Sequence, residues 1–192
     1  MLAVVGLGNY QEEYHNSRHN VGFLVLDKLR FQISPNKDWQ KNSHTGCLEV
    51  RGKDFLLAKP QTFMNLSGQV VKKLVNFYKL DINNLLLVHD DLDLKFGEIK
   101  INKNQGPAGH HGVESVVEAL KTKNFWRVRV GIGRPEKIKG EGREADFVLE
   151  KFSQEEKKHL GEIVNETAGL LSLAIEKEAG EIRGKRVVIS NQ

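Results

Sequence analysis

Apolar residues fall along this chain in short blocks set apart by polar and glycine-rich stretches, and the period changes from block to block. Residues 2–5 are a continuous apolar run ended by Gly6-Leu7-Gly8-Asn9, which predicts a buried strand leaving a sheet through a turn. From Asn20, the positions Val21, Leu24, Val25 and Leu29 repeat with helical period, and Asn20 is placed to cap that helix. Residues 46–50 and 55–58, joined by Arg51-Gly52-Lys53-Asp54, predict a hairpin that holds Cys47 as a packed side chain. Val70, Val71, Leu74, Val75 and Tyr78 form a helical stripe. Residues 85–88 then read as a fully buried strand that delivers His89-Asp90-Asp91-Leu92-Asp93 at its carboxyl end.

Further on, residues 99–101 predict a weak strand, 106–112 a glycine-rich loop, 113–120 a short helix and 126–132 an alternating strand. Arg134 to Arg143 reads as a flexible basic loop. Ser153 and Glu156 have the spacing of a capping box, in which a hydroxyl and a carboxylate satisfy free N–H groups, and they open a long helix that Gly180 is placed to end. This order of elements implies an α/β fold: one domain over residues 1–192, with a mixed twisted β-sheet flanked by α-helices.

Composition agrees with a packed core, since hydrophobic residues make up 39% and charged residues 28% with no low-complexity tract. The one cysteine leaves no internal disulfide, and there is neither a secretory leader nor a membrane-length apolar run, so the expected setting is the cytoplasm. Net charge is only +4, but residues 95–143 hold 11 Lys/Arg against 5 Asp/Glu. A solvated basic face and a nucleic-acid contact both account for that excess on charge alone.

Polar clusters sit at expected strand or helix ends: Asn9, Arg18-His19-Asn20, Asn65, His89 to Asp93, and Gly109-His110-His111-Gly112. Taken singly, each is accounted for as a turn former or cap. Two chemistries compete for them as a group. His89, Asp90, Asp91 and Asp93 with His19 or His110 could form an open metal site, although adjacent Asp90 and Asp91 on a strand face opposite ways. Gly6-x-Gly8 after a strand suggests dinucleotide binding, but Gln11 stands where the third glycine belongs and no acidic residue follows a second parallel strand.

Gly6-Leu7-Gly8-Asn9, Tyr14 with Arg18-His19-Asn20-Val21-Gly22, and the run Lys59-Pro60-Gln61-Thr62-Phe63-Met64-Asn65-Leu66-Ser67-Gly68 resemble the bacterial-type peptidyl-tRNA hydrolase family. His89-Asp90-Asp91-Leu92-Asp93-Leu94, Gly109-His110-His111-Gly112 and Arg127-Val128-Arg129-Val130-Gly131-Ile132-Gly133-Arg134-Pro135 extend the resemblance, in the family's order, to about residue 150. It implies a metal-independent, cofactor-free hydrolase, expected to be monomeric, that cuts the ester between a peptidyl group and tRNA. His19 would be the general base and Asp90 its orienting carboxylate. Asn9, Tyr14, Phe63, Asn65 and His111 would contact substrate, and Lys100, Arg129, Lys137, Lys139 and Arg143 would meet tRNA phosphates. A non-catalytic RNA-binding relative is the remaining alternative, opposed by the retention of both His19 and Asp90. The chain departs from the family pattern in two places: Tyr10-Gln11 replaces the common Pro-Gly after Asn9, and His111 stands where an asparagine is usual.

Overall fold

The computed structural model describes residues 1–134, 143–177 and 186–188. The first apolar run is strand β1 (Leu2–Gly6), followed after two short 3-10 turns by helix α1 (Val21–Ile33). A three-residue strand β2 (Gln40–Asn42) precedes the hairpin of β3 (Cys47–Arg51) and β4 (Phe55–Pro60). Helix α2 (Ser67–Tyr78), strand β5 (Leu85–Asp91) and strand β6 (Glu98–Lys103) come next, then α3 (His111–Leu120), β7 (Trp126–Gly131), α4 (Arg143–Leu149), α5 (Gln154–Lys177) and β8 (Arg186–Val188).

All eight strands join one sheet in the order β2-β3-β4-β1-β5-β7-β6-β8. Its centre, β4-β1-β5-β7, is parallel, and antiparallel strands flank it on both sides. The α/β class with a mixed sheet, expected from the sequence, is what the chain adopts. Because strand side chains alternate, β1 and β5 feed two cores. Val4, Leu86 and Val88 pack with α1 and α5, while Ala3, Val5, Leu85 and Leu87 pack with α2 and α3. Cys47 is buried in the second core as a packed side chain, and that burial pushes its thiol pKa up to about 12.

Several local readings need correction. Asn20 makes no side-chain cap to α1, because its amide is taken up by the main chain of Asn9. Strands β2 and β8 and helix α4 are too short to show a period, and Arg143 starts α4 rather than closing a basic loop. Residues 135–142, which include Lys137 and Lys139, lie outside the described residues, as does Gly180. The capping box is present: Glu156 N–H donates to Ser153 Oγ at 3.1 Å, and Ser153 N–H donates to Glu156 Oε2 at 2.6 Å.

The start of α1 is pressed directly onto the sheet. A Cβ on Gly22 would lie 2.5 Å from the carbonyl oxygens of both Leu7 and Val88, and one on Gly6 would lie 2.5 Å from the carbonyl oxygen of Gly22. Only a residue without a side chain lets the helix approach the ends of β1 and β5 so closely, and that approach puts His19 over the end of β5. Gly22→Ala must therefore push backbone apart, and we expect it to cost about 3 kcal/mol, read as a lower denaturation midpoint in urea at unchanged slope.

Candidate active site

Asp90 is the last residue but one of the central strand β5, on its α1 side, and is almost completely buried. His19, in the 3-10 turn Arg18–Asn20, meets it with Nδ1 at 2.9 Å from Oδ1 and 3.0 Å from Oδ2. His110 reaches the same Oδ1 through Nε2 at 3.0 Å. Burial alone would raise the Asp90 pKa, but the imidazoles of His19 and His110, through charge and hydrogen bonds, outweigh it and hold the carboxyl far below its ordinary range. Asp90 is thus ionised and accepts from both rings.

The proton positions follow from the partners. His110 is the N-cap of α3, and its Nδ1 accepts from the main-chain N–H groups of Gly112 at 3.1 Å and Val113 at 3.2 Å. Its proton must then sit on Nε2, where it is donated to Asp90. His19 donates from Nδ1 to Asp90, which leaves the Nε2 lone pair free of any hydrogen-bond partner among the described residues. A ring so oriented can accept a proton from a water or hydroxyl that faces it.

His19, Asp90, His110, His111 and Leu92 line a cavity of about 110 Å³, with Arg134 and, from α4, Glu144, Ala145 and Val148 on the far wall. The turn that carries His19 is tied to that wall by its neighbour Arg18, a buried side chain. Arg18 donates from Nε and Nη2 to Glu156 at 3.2 and 2.7 Å and from Nη1 to the carbonyls of Phe147 and Glu150. Its guanidinium also lies 4.0 Å over the Phe147 ring. Glu156 therefore serves the start of α5 and the turn that carries His19 together.

Asn9 lies beside this cavity rather than in its wall. Asn20 fixes the Asn9 backbone by accepting its N–H at 2.8 Å and donating to its carbonyl at 2.9 Å. The Asn9 side chain accepts the Met64 N–H through Oδ1 at 2.8 Å. With Oδ1 committed, Nδ2 is the group left for a ligand, and it can only donate.

The other residues expected from the sequence are distributed as follows. Asn65 and Phe63 are exposed on the turn after β4, and Tyr14 is half-buried in its own 3-10 turn with its phenol pKa raised by a hydrogen bond to Glu13. His111 starts α3, and its side chain is 71% exposed beside Glu114. Arg129 is less free than its sequence position suggests: it donates from Nε to Asp91 at 2.6 Å and from Nη1 to Gln105 at 3.2 Å. Lys100, its cross-strand neighbour on β6, is 3.4 Å from Glu98. Arg143 is exposed at the start of α4. The sequence offers His110 only as a candidate metal ligand and not as a partner of Asp90. Two adjacent histidines before a helix give no sign of which one turns inward, because that depends on where the helix begins.

His19, Asp90 and His110 offer ligand atoms within 4.8 Å of one another, the spacing of a metal site. The proton positions do not suit a cation. Coordination through His110 Nε2 would move its proton to Nδ1, against the two N–H groups that already point there. Asp91 and Asp93, the other carboxylates of the segment, are occupied by Arg129 and Arg134. The dinucleotide reading fails as well, since Gly6 serves the close approach of α1 and the turn after β1 does not open directly into a helix.

The chain matches the family model described as peptidyl-tRNA hydrolase over residues 3–188. It is 41% identical to the peptidyl-tRNA hydrolase of Nocardia farcinica over 174 residues, 90% of this chain and 89% of that one. It is 40% identical to that of Aquifex aeolicus over 174 residues, with the same shares covered. The crystal structure of peptidyl-tRNA hydrolase from Acinetobacter baumannii is similar to it with a TM-score of 0.86 at 28% identity, covering 95% of this chain and 92% of that one.

His89 supplies a pH test of the packing beneath the site. It is fully buried, donates from Nδ1 to the Asp90 carbonyl at 2.7 Å and packs against the His110 ring. Burial first, then the charges of His110 and Arg127, push its pKa well below the ordinary value, against a weaker opposing pull from Asp90. A histidine whose folded pKa is depressed gives stability that is complete above its unfolded pKa of about 6.5 and is lost as pH falls below it, with a slope approaching about 1.4 kcal/mol per pH unit. Urea melts between pH 7 and 5 should show that loss, and His89→Phe should flatten it.

Proposed function

The chain belongs to the peptidyl-tRNA hydrolase family and hydrolyses peptidyl-tRNA, and from that premise we propose that the reaction runs on a water activated by His19. The observation that carries this reading is the His19–Asp90 pair at 2.9 Å, which leaves Nε2 unprotonated and facing a cavity. A water held between Nε2 and the ester carbonyl loses a proton to Nε2 as its oxygen attacks the carbonyl carbon. Asp90, accepting from Nδ1, steadies the imidazolium that forms, and His110 keeps the carboxylate pointed at His19. Collapse of the tetrahedral intermediate breaks the bond to the ribose oxygen, which takes the proton back from Nε2. The products are a peptide carboxylate and a tRNA with a free hydroxyl, ready for reuse in translation.

Asn9 explains why a blocked amino group would be required. Its Nδ2 can only donate, so it suits the carbonyl oxygen on an acylated α-nitrogen and repels a free ammonium, which also only donates. Asn65 and His111 supply further donors around the ester, and the amide of Asn65 can meet the developing oxyanion. Tyr14 and Phe63 offer aromatic faces to the RNA terminus and the peptide. On the other side, Lys100, Arg129 and Arg143, with Lys137 and Lys139, would hold phosphates, giving affinity without sequence readout.

We place the reaction in the cytoplasm, where translation generates the substrate, and take the enzyme to act as a monomer, the state the family resemblance implies. Among the described residues no helix is long and apolar enough to cross a membrane.

Single-turnover cleavage of an N-acetylated aminoacyl-tRNA is the direct test. His19→Asn should lower the rate constant by about 10²- to 10⁴-fold with little change in substrate affinity, and an unchanged rate would sink the mechanism. For Asn9→Asp, the new carboxylate oxygen accepts rather than donates. It should lose activity on the N-acetylated substrate and gain a detectable rate on unblocked aminoacyl-tRNA.

A further inference from the structure

Strand order sorts the chemistry on either side of Asp90. Toward β7 and β6 the nearby side chains are charged, with the cations Arg129, Lys100 and Arg134 each beside a carboxylate, Asp91, Glu98 and Asp93 in turn. Toward β1 and β4 they are neutral: Asn9 and Tyr10 follow β1, and Phe63 and Leu66 follow β4. Three of these are large apolar side chains left in water, with Tyr10 43%, Phe63 40% and Leu66 41% exposed. The two segments are joined at this point, since Tyr10 N–H donates to the Thr62 carbonyl at 3.3 Å and Met64 N–H donates to Asn9 Oδ1 at 2.8 Å. The Tyr10 and Phe63 rings meet edge to face, 5.6 Å apart at 76°.

Resting on the proposed role of Asn9 in holding the acyl group, we propose that Tyr10, Phe63 and Leu66 form a subsite for the apolar side chain of the amino acid esterified to tRNA. Asn9 Nδ2 would hold the acyl group on the α-nitrogen, and the side chain branches from the carbon next to that nitrogen. It must therefore fall within a few bonds of Asn9, where Tyr10 is the adjacent residue and Phe63 precedes Met64, the residue bonded to the Asn9 side chain. Two rings near a right angle enclose a corner that fits a branched or aromatic side chain. A flat nucleobase could stack on only one of them, and the polyanionic half of the substrate is better matched by the cations across β5. Exposed aromatic rings bind at small entropic cost, because each is fixed by only two torsions.

The experiment compares N-acetyl-phenylalanyl and N-acetyl-glycyl esters on one and the same tRNA body. The unaltered enzyme should favour the phenylalanyl ester by about 10-fold in kcat/KM, carried mainly by KM. Tyr10→Ala should reduce that ratio at least about threefold by weakening the phenylalanyl reaction alone. Leu66→Ser, which leaves the turn after Asn9 untouched, should reduce it in the same direction. A ratio of one in the unaltered enzyme overturns the subsite. So does a ratio that survives both substitutions, or a loss shared equally by the two esters, which would mark Tyr10 as a support for Asn9 only. If neither ester is cleaved by the unaltered enzyme, it is the reading of the active site that fails, and the subsite falls with it.

Discussion

A carboxylate buried at the end of a central strand is tolerable only if its charge is answered, and at Asp90 the answer comes from two imidazoles on different elements. Breaking a buried charge pair by removing one partner typically costs several kcal/mol, so each of the three groups depends on the other two. His19 is held on one side of Asp90, and His110 on the other is kept in a single tautomer by the first N–H groups of α3. The start of α3 thus helps to set the geometry around Asp90. A second tie runs from Arg18 to the carbonyls of Phe147 and Glu150 as well as to Glu156, so the turn carrying His19 is anchored to α4, which lines the cavity it faces, and to the start of α5.

Much of this was legible in the chain itself. The apolar run before His89 could only be a buried strand, and a buried parallel strand ending in acidic residues places them where sheets open to ligands. That reasoning marked the segment His89 to Asp93, within which the motif resemblance chose Asp90, and the opposite facing of Asp91 followed from the period of two. What it could not supply was the pairing of residues 71 positions apart, since nothing local to His19 speaks of Asp90. The motif resemblance supplied that pairing.

The errors share a cause. Asn20 had the right residue type and place for a cap, yet the Asn9 main chain offers it both a donor and an acceptor, and a buried amide takes the partners that satisfy it fully. The partner of Arg129 was likewise out of reach, because an alternating strand says which face a side chain takes but not what lies there, here Asp91. His110 and His111 differ only in phase relative to the start of α3, and that phase is set by tertiary packing. Strands β2 and β8 span three residues each, shorter than any period can reveal.

The distribution of charge around Asp90 bears on how one site can handle a substrate with two unlike halves. A peptidyl ester joins a neutral chain to a polyanion, and a site uniformly basic would hold the RNA well but leave the ester carbonyl no register. Here the neutral groups and the cations sit on opposite sides of one strand, with His19 and Asp90 at the boundary. Arg129 and Lys100 are also partly answered by Asp91 and Glu98, which tempers their pull at a distance without removing their donors. If these cations meet tRNA as proposed, a phosphate must displace the carboxylates to reach them, and correct placement of the phosphate on β7 and β6 is what would bring the ester to the end of β5. On this view specificity for the bond that is cut comes from the spacing of two weakly held halves across a rigid parallel sheet, more than from tight binding of either.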